Sequence, residues 1–212
     1  MLDLSAPISD LLAHWQAHSL SATTYAGIRT VKTPCDAWVY QQLVFERRPA
    51  VIVEIGNWCG GTLLMLAHWL DAIGGGRVIG VDVDHSRVPE LVRAHPRIEL
   101  VTGDAVQVAG QVAAMIPAAD EVLVIEDSGH TYANTLAVLR AYAGLVQPGG
   151  YFIVEDTICH HGLPVGPQPG PWEAVQVFLL ERRDWQADRS REAFGVTWNP
   201  GGYLRRMGEG ER

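Results

Sequence analysis

Five short apolar runs, each ending at a carboxylate or a glycine turn, punctuate the chain: VIVEI at 51–55, RVIGVDV at 77–83, RIELV at 97–101, EVLVIE at 121–126 and YFIV at 151–154. Runs this short and this rich in β-branched residues predict strands buried on both faces. Between them, apolar positions fall at helical spacing over 62–73, 86–94, 105–116 and 131–145, with Pro89 tolerated in a first turn. Gly74–Gly76, Pro117 and Pro148–Gly150 supply the stops. Strand and helix alternating at this rhythm predict an α/β fold, a Rossmann-like parallel sheet with helices on both faces.

The flanks depart from that rhythm. Ile8, Leu11, Leu12 and Trp15 predict an N-terminal helix over 5–20, with Ser5 or Ser9 as caps. Residues 21–35 read as irregular, and 36–47 as a helix capped by Asp36 and ended by Pro49. Residues 157–171 hold four prolines and three glycines and predict a long surface loop. A last helix is expected over 172–184, then strands over 193–198 and 203–206 joined as a hairpin through Asn199–Gly202. The chain divides into a helical segment, 1–48, packing on or capping a core at 49–212. Together they form one globular domain.

Composition narrows the function. A chain of 212 residues with net charge −8 and no basic cluster longer than an Arg–Arg pair is not expected to bind nucleic acid. No apolar run is long enough for a bilayer, and the N-terminus lacks the features of a signal peptide. Cys35, Cys59 and Cys159 are odd in number and widely spaced, which fits a reducing cytoplasm.

Candidate chemistry lies at the strand ends, where open parallel sheets bind ligands. After the first strand comes Glu54-x-Gly56-Asn57-Trp58-Cys59-Gly60-Gly61. With Trp at 58 this is not the G-x-G-x-x-G of a dinucleotide site, so a dehydrogenase is disfavoured. Asp82 ends the second strand, where a carboxylate can accept hydrogen bonds from ribose hydroxyls. Asp104 follows the third, either meeting an adenine amino group or forming a turn. Asp127, Glu155 and Asp156 end the fourth and fifth strands. Three carboxylates there repel unless a cation or proton intervenes, and a hard divalent ion (Mg²⁺, else Mn²⁺ or Ca²⁺) would serve. The competing reading makes one or two of them helix caps. His130, three residues after Asp127, is a candidate general base, since imidazole ordinarily titrates in the useful range. His160 and His161 open the proline-rich loop, at the substrate mouth; no second half-site supports zinc.

Taken together, VIVEIGNWCGG, VIGVDVD, VLVIEDSGH, PGGYFIVEDTI and NPGGYLRR resemble the cephalosporin hydroxylase (cephamycin-type) family of class I S-adenosylmethionine (SAM) O-methyltransferases, to which rhamnosyl and macrolide-sugar O-methyltransferases are similar. The resemblance runs from about Pro34 to Arg206. It implies a seven-stranded sheet, a SAM site at Glu54, Gly56 and Asp82, with Asn57 and Gly60 in the same loop, and a Mg²⁺ site at Asp127, Glu155 and Asp156. It also implies His130 as base and a small hydroxylated acceptor, a sugar or phenol; relatives are often multimers. Two rivals remain: an iron hydroxylase built on Asp127, His130 and a loop histidine, and a SAM-binding subunit without catalysis.

Overall fold

The computed structural model describes residues 5–208 and residue 210. A seven-stranded sheet is its centre. Its strands are β3 (Val51–Ile55), β4 (Arg77–Asp82), β5 (Ile98–Thr102), β6 (Val122–Glu126), β7 (Tyr151–Val154), β8 (Trp185–Ala187) and β9 (Tyr203–Arg206), in the order β5-β4-β3-β6-β7-β9-β8. The first five run parallel, and β9 lies antiparallel between β7 and β8. The expected α/β class and mostly parallel sheet with an antiparallel C-terminal pair are what the chain forms.

Alternate residues of the strands build two cores. Val51, Val53 and Ile55 of β3 meet Val124, Phe152 and two helices, α6 (Tyr132–Tyr142) and α7 (Pro171–Glu181). Ile52 points the other way, onto α2 (Pro34–Arg47) and α3 (Gly61–Ile73) through Tyr40, Leu43, Leu63 and Leu66. Every residue of β3 is buried, so this run needs no polar alternation. Glu54 is its one ionisable member, and it is buried with the rest.

Several boundaries differ from the expected ones for identifiable reasons. The helix expected over 86–94 shrinks to α4 (Glu90–Arg93), with Pro89 at its N-cap. Asp84 accepts from both the backbone and the hydroxyl of Ser86, and this local turn displaces the helix start. The last helix stops at Glu181, three residues early, which frees Trp185–Ala187 to form β8. The predicted strand over 193–198 does not form: β9 pairs with β8 instead, and Asn199–Gly202 turns the chain into β9. Within 21–35 a two-residue hairpin appears, β1 (Thr24–Tyr25) against β2 (Ile28–Arg29). The N-terminal helix is α1 (Ile8–His14), continued by wider and tighter helical turns at Trp15–Ser19 and Leu20–Ala22, so the expected helical segment is present with Pro7 rather than a serine at its N-cap.

Asp36 is not the cap of α2. Thr33 is, accepting from the Asp36 N–H, because Pro34 opens the helix two residues earlier than expected. Asp36 is buried and gathers four donors: Thr33 Oγ1 at 2.6 Å, Thr197 Oγ1 at 2.5 Å, the Trp198 N–H at 2.9 Å and the Tyr203 hydroxyl at 2.8 Å. This hub pins residues 30–33 and 197–199 to the same end of the sheet. Asp36→Ala orphans at least the Trp198 N–H and the Tyr203 hydroxyl. Each buried unsatisfied group costs about 1–3 kcal/mol, so a loss of roughly 3 kcal/mol is expected, read by urea denaturation. Asp36→Asn, which keeps one oxygen, should lose less.

The loop over 157–171 is packed more closely than its composition suggested. Ile158 and Leu163 are buried with Leu20 and Trp198 in a small third core. The N-terminal segment is thereby held against the loop and the C-terminal turn.

Candidate active site

Two cavities open beyond the carboxyl ends of the parallel strands. One, of about 410 Å³, is lined by Arg29–Thr33, Asn57, His130, Glu155, Asp156 and Trp198, among others. The second, of about 480 Å³, is lined by Val81–Asp84, Gly103–Ala105, Ser128 and Asn134. Gly56, Trp58 and Asp127 border both. The two spaces therefore meet where β3 and β6 end, at the sheet's switch point.

The glycine turn is fitted to that junction. Gly56 has φ +88°, and a Cβ there would lie 2.1 Å from the Asp127 carbonyl oxygen. What the missing side chain admits is the neighbouring strand's backbone. Asp82 Oδ2 accepts from the N–H groups of Asn57 and Trp58, at 2.7 and 3.0 Å, and so holds the turn from the side of β4. Trp58 takes φ +45°, outside the usual range for a residue with a side chain, and its ring lies 5.1 Å beneath the Arg29 guanidinium. Gly60, at φ +78°, caps α3 with a left-handed turn.

Buried polar groups brace the turn. Asn57 Nδ2 donates to the Glu54 carbonyl at 2.9 Å and to Glu54 Oε2 at 3.3 Å. Glu54 Oε1 has no hydrogen-bond partner. Burial pushes the Glu54 carboxyl up to about 8, against the pull of Lys32. Glu54 is 1% exposed and borders neither cavity, so it braces the turn from within. Asn57 Oδ1 is 3.0 Å from His85 Nε2, and His85 Nδ1 is 2.9 Å from Thr102 Oγ1.

His85 gives the turn a pH dependence. Burial depresses its pKa below the ordinary imidazole value of 6.5. The unfolded chain therefore binds more protons than the folded one as pH falls through that value, and stability is lost on the acid side. Thermal unfolding is expected to show a decline below pH 6.5 that His85→Gln flattens. An unchanged slope in the variant would assign the decline elsewhere.

The acidic end carries the main surprise. Asp127, Glu155 and Asp156 do converge, but a cation from the chain itself is among them. Lys32 Nζ donates to Asp127 Oδ2 at 3.1 Å and to Glu155 Oε1. Its side chain is 4% exposed, less than Glu155 at 7% and Asp127 at 23%. Burial works against its charge, but Asp127, Glu155 and Glu54 outweigh that and hold its pKa above the ordinary lysine value. Burial and Asp127 push the Glu155 carboxyl up, and Lys32 opposes them. Asp156 is raised as well, by burial first, with His130 opposing. His130 Nε2 lies 3.3 Å from Asp156 Oδ2. Both residues have positive φ, +48° and +56°, a strained backbone concentrated at the site.

Ligand atoms of Asp127, His130 and Asp156 lie within 4.8 Å of one another, a set that could hold a metal ion. The carboxylate oxygens of Asp127 and Asp156 suit Mg²⁺ or Mn²⁺ and fit such an ion, whereas the His130 imidazole taken as a ligand would suit Zn²⁺ or Fe²⁺ better. Glu155 lies outside that set and, like Asp127, is engaged by Lys32. Asp104 caps its helix, α5 (Ala105–Ala114), through Oδ1, and its side chain also borders the second cavity. His160 and His161 are not at the mouth. The first contacts the Gly166 carbonyl at 3.1 Å and the second Glu173 at 2.7 Å, stacked on Trp172. Without them, the two-histidine triad of an iron hydroxylase is not assembled among the described residues.

Sequence reasoning missed Lys32, Asn134, His85 and Glu126. Glu126, buried under Ser128 and Asn134, is pushed up to about 8 by burial. One signal for Lys32 was in the sequence: it is the chain's only lysine, every other Lys/Arg being arginine.

A family model described as Rhamnosyl O-methyltransferase/CmcI matches residues 17–207. The rhamnosyl O-methyltransferase of Mycobacterium tuberculosis (strain H37Rv) is 31% identical over 191 residues, covering 86% of this chain and 77% of that protein. The Mycobacterium leprae enzyme is 31% identical over 194 residues, covering 87% and 83%. A solved structure of CmcI with Mg and SAM superposes with TM-score 0.71 at 26% identity, covering 98% of this chain and 87% of the other. With the matched region spanning the glycine turn, the acidic cluster and, Gln16 apart, both cavities, the chain belongs to the rhamnosyl O-methyltransferase/CmcI family.

Proposed function

We propose that this chain, a SAM-dependent O-methyltransferase, methylates a hydroxyl of a small sugar-bearing acceptor in the first cavity, with SAM in the second. The observation that carries this reading is the junction of the two cavities at Gly56, Trp58 and Asp127. A donor and an acceptor in adjoining pockets gain their rate mainly by being held in line. The first cavity offers Gln16, Ser21, Thr30, Asn57 and the Trp58 and Trp198 side chains, a mixture of hydrogen-bonding groups and aromatic faces suited to a sugar ring. A phenolic acceptor is the second candidate.

Residue roles follow from position. Asp82 and Asp104, on the second cavity, would receive the ribose hydroxyls and the adenine edge; Glu54, Gly56, Asn57 and Gly60 would hold the amino-acid end. Glu54, which borders neither cavity, would act on that end through Asn57, whose amide it holds. Bound SAM supplies the methyl group. Asp127, Glu155 and Asp156 would hold a divalent ion, Mg²⁺ first, which supplies electrostatic stabilisation for a deprotonated acceptor oxygen. His130, oriented by Asp156, takes the acceptor proton. The segment 1–48 walls the acceptor cavity through Gln16, Leu20 and Arg29–Thr33, so acceptor choice rests there.

The test is transfer of label from methyl-labelled SAM to rhamnosides and to simple phenols, with and without EDTA. Turnover on the sugar acceptors that chelation abolishes and Mg²⁺ restores supports the reading. Turnover indifferent to EDTA removes the metal, and turnover on phenols alone removes the sugar. No helix among the described residues is long and apolar enough to cross a membrane. Three free cysteines fit the proposed cytoplasmic setting.

A further inference from the structure

We propose that Lys32 is an exchangeable internal counter-ion: its ammonium neutralises the acidic cluster in the metal-free enzyme and leaves Asp127 and Glu155 when a divalent ion enters. The inference rests on the metal-dependent reading above. It adds a group that sequence motifs and ligand sets do not include.

Three observations carry it. First, the ammonium donates to two of the three carboxylates proposed to hold the ion, Asp127 and Glu155. A divalent ion and an ammonium competing for the same oxygens at the same place exclude one another by charge and by space. Second, Lys32 is the only lysine in the chain, and it is buried; all the other Lys/Arg positions are arginine. A compact ammonium on a flexible stem can enter and leave a narrow pocket, whereas a planar five-donor guanidinium locks to carboxylates. Third, Val31, immediately before it, takes φ +46°. For a β-branched residue this is a strained backbone, and it lies in a segment that lines the acceptor cavity. A stem withdrawn from the cluster would let that peptide relax and would place a cation beside the acceptor.

The Tyr40 ring, 5.6 Å from Nζ, flanks the inward position. Its hydroxyl accepts from Asn199 Nδ2 at 2.8 Å, and Asn199 Oδ1 accepts from the Asp156 N–H at 3.1 Å. The cradle for the ammonium and the backbone of the metal-site aspartate are thus one bonded structure. Exchange moves the lysine without dismantling the carboxylates' supports.

The experiment combines two measurements on the full chain stripped of metal. Mn²⁺ is titrated by electron paramagnetic resonance into wild type, Lys32→Gln and Lys32→Met. Separately, amine-selective reductive methylation of wild type is followed by mass spectrometry with and without Mn²⁺, the N-terminal amine serving as reference. With a single lysine, the modified site is unambiguous. Removing an internal competitor raises apparent affinity by the inverse of the competent fraction, so the variants should bind Mn²⁺ about tenfold tighter or more. Mn²⁺ should speed labelling of Lys32 in wild type, while the N-terminal amine is unaffected. Equal or weaker Mn²⁺ binding in folded variants, with labelling unchanged by metal, overturns the exchange and leaves the metal site standing. Absence of Mn²⁺ binding in both wild type and variants overturns the metal reading and the exchange with it. The labelling arm needs no variant, so it decides the matter even if neither substitution folds.

Discussion

His130→Ala should lower turnover by about 10²–10⁴-fold, the range one positioned acid–base group contributes, while the KM for SAM stays unchanged. His130 borders the acceptor cavity and is absent from the lining of the other, so its loss should spare cofactor binding. Its Nε2 sits 3.3 Å from Asp156 Oδ2, and its backbone takes φ +48°. The same ring belongs to the three-residue set whose ligand atoms converge. The two roles separate in one measurement. A base leaves Mn²⁺ affinity intact when removed, whereas a ligand takes that affinity with it. Loss of turnover with unaltered Mn²⁺ binding assigns the proton; parallel loss of both moves His130 into the coordination sphere.

The parallel core was readable because its signal is local. Four buried strands and the half-exposed edge strand β5 each carry an apolar run of their own, and each run is bounded by turn residues, so no long-range knowledge was needed. The strand-end carboxylates were readable for the same reason: strand direction puts them on one rim. What failed were elements decided by partners distant in sequence. β8 is three residues long and exists because β9 offers it an edge, while 193–198 carries a more strand-like pattern but gives Thr197 and Trp198 to Asp36. Asp36 itself has the composition of a cap and the function of a hub, a difference visible only once residues over 160 positions away are folded beside it.

The candidate site divides along the same line. Asp127, His130, Glu155 and Asp156 were found because each follows a strand. Lys32 was missed because it sits in a segment with no periodicity, between a two-residue hairpin and a proline-led helix. Carboxylates so close do require a cation, and the chain itself supplies one in Lys32. Asp82 shows a milder form of this. Its place at the end of β4 was legible, but its service to the Asn57 and Trp58 N–H groups depends on a turn conformation that sequence does not display.

The junction of the two cavities depends on one absent side chain, and Gly56→Ala should be the most damaging single substitution in the fold. A methyl group there would stand 2.1 Å from the Asp127 carbonyl oxygen, 2.6 Å from its carbon and 2.8 Å from Ser128 Cα, all backbone atoms that no rotamer change can move. The residue also holds φ +88°, which an alanine adopts only at a cost of about 1–2 kcal/mol. Strand separation must be added to that, and a total beyond roughly 4 kcal/mol is expected, enough to unfold a marginally stable domain. Gly74→Ala provides the control. It has φ +78° with nothing within 4 Å of its Cβ position, so it carries the backbone penalty alone. The measurement is urea denaturation of both variants, with SAM binding followed where the protein folds. The difference between them reports how firmly the fold presses β3 against β6. Were Gly56→Ala no less stable than Gly74→Ala, the two strand ends could part at little cost. The alignment of donor and acceptor pockets would then have to be imposed by the ligands rather than by the sheet.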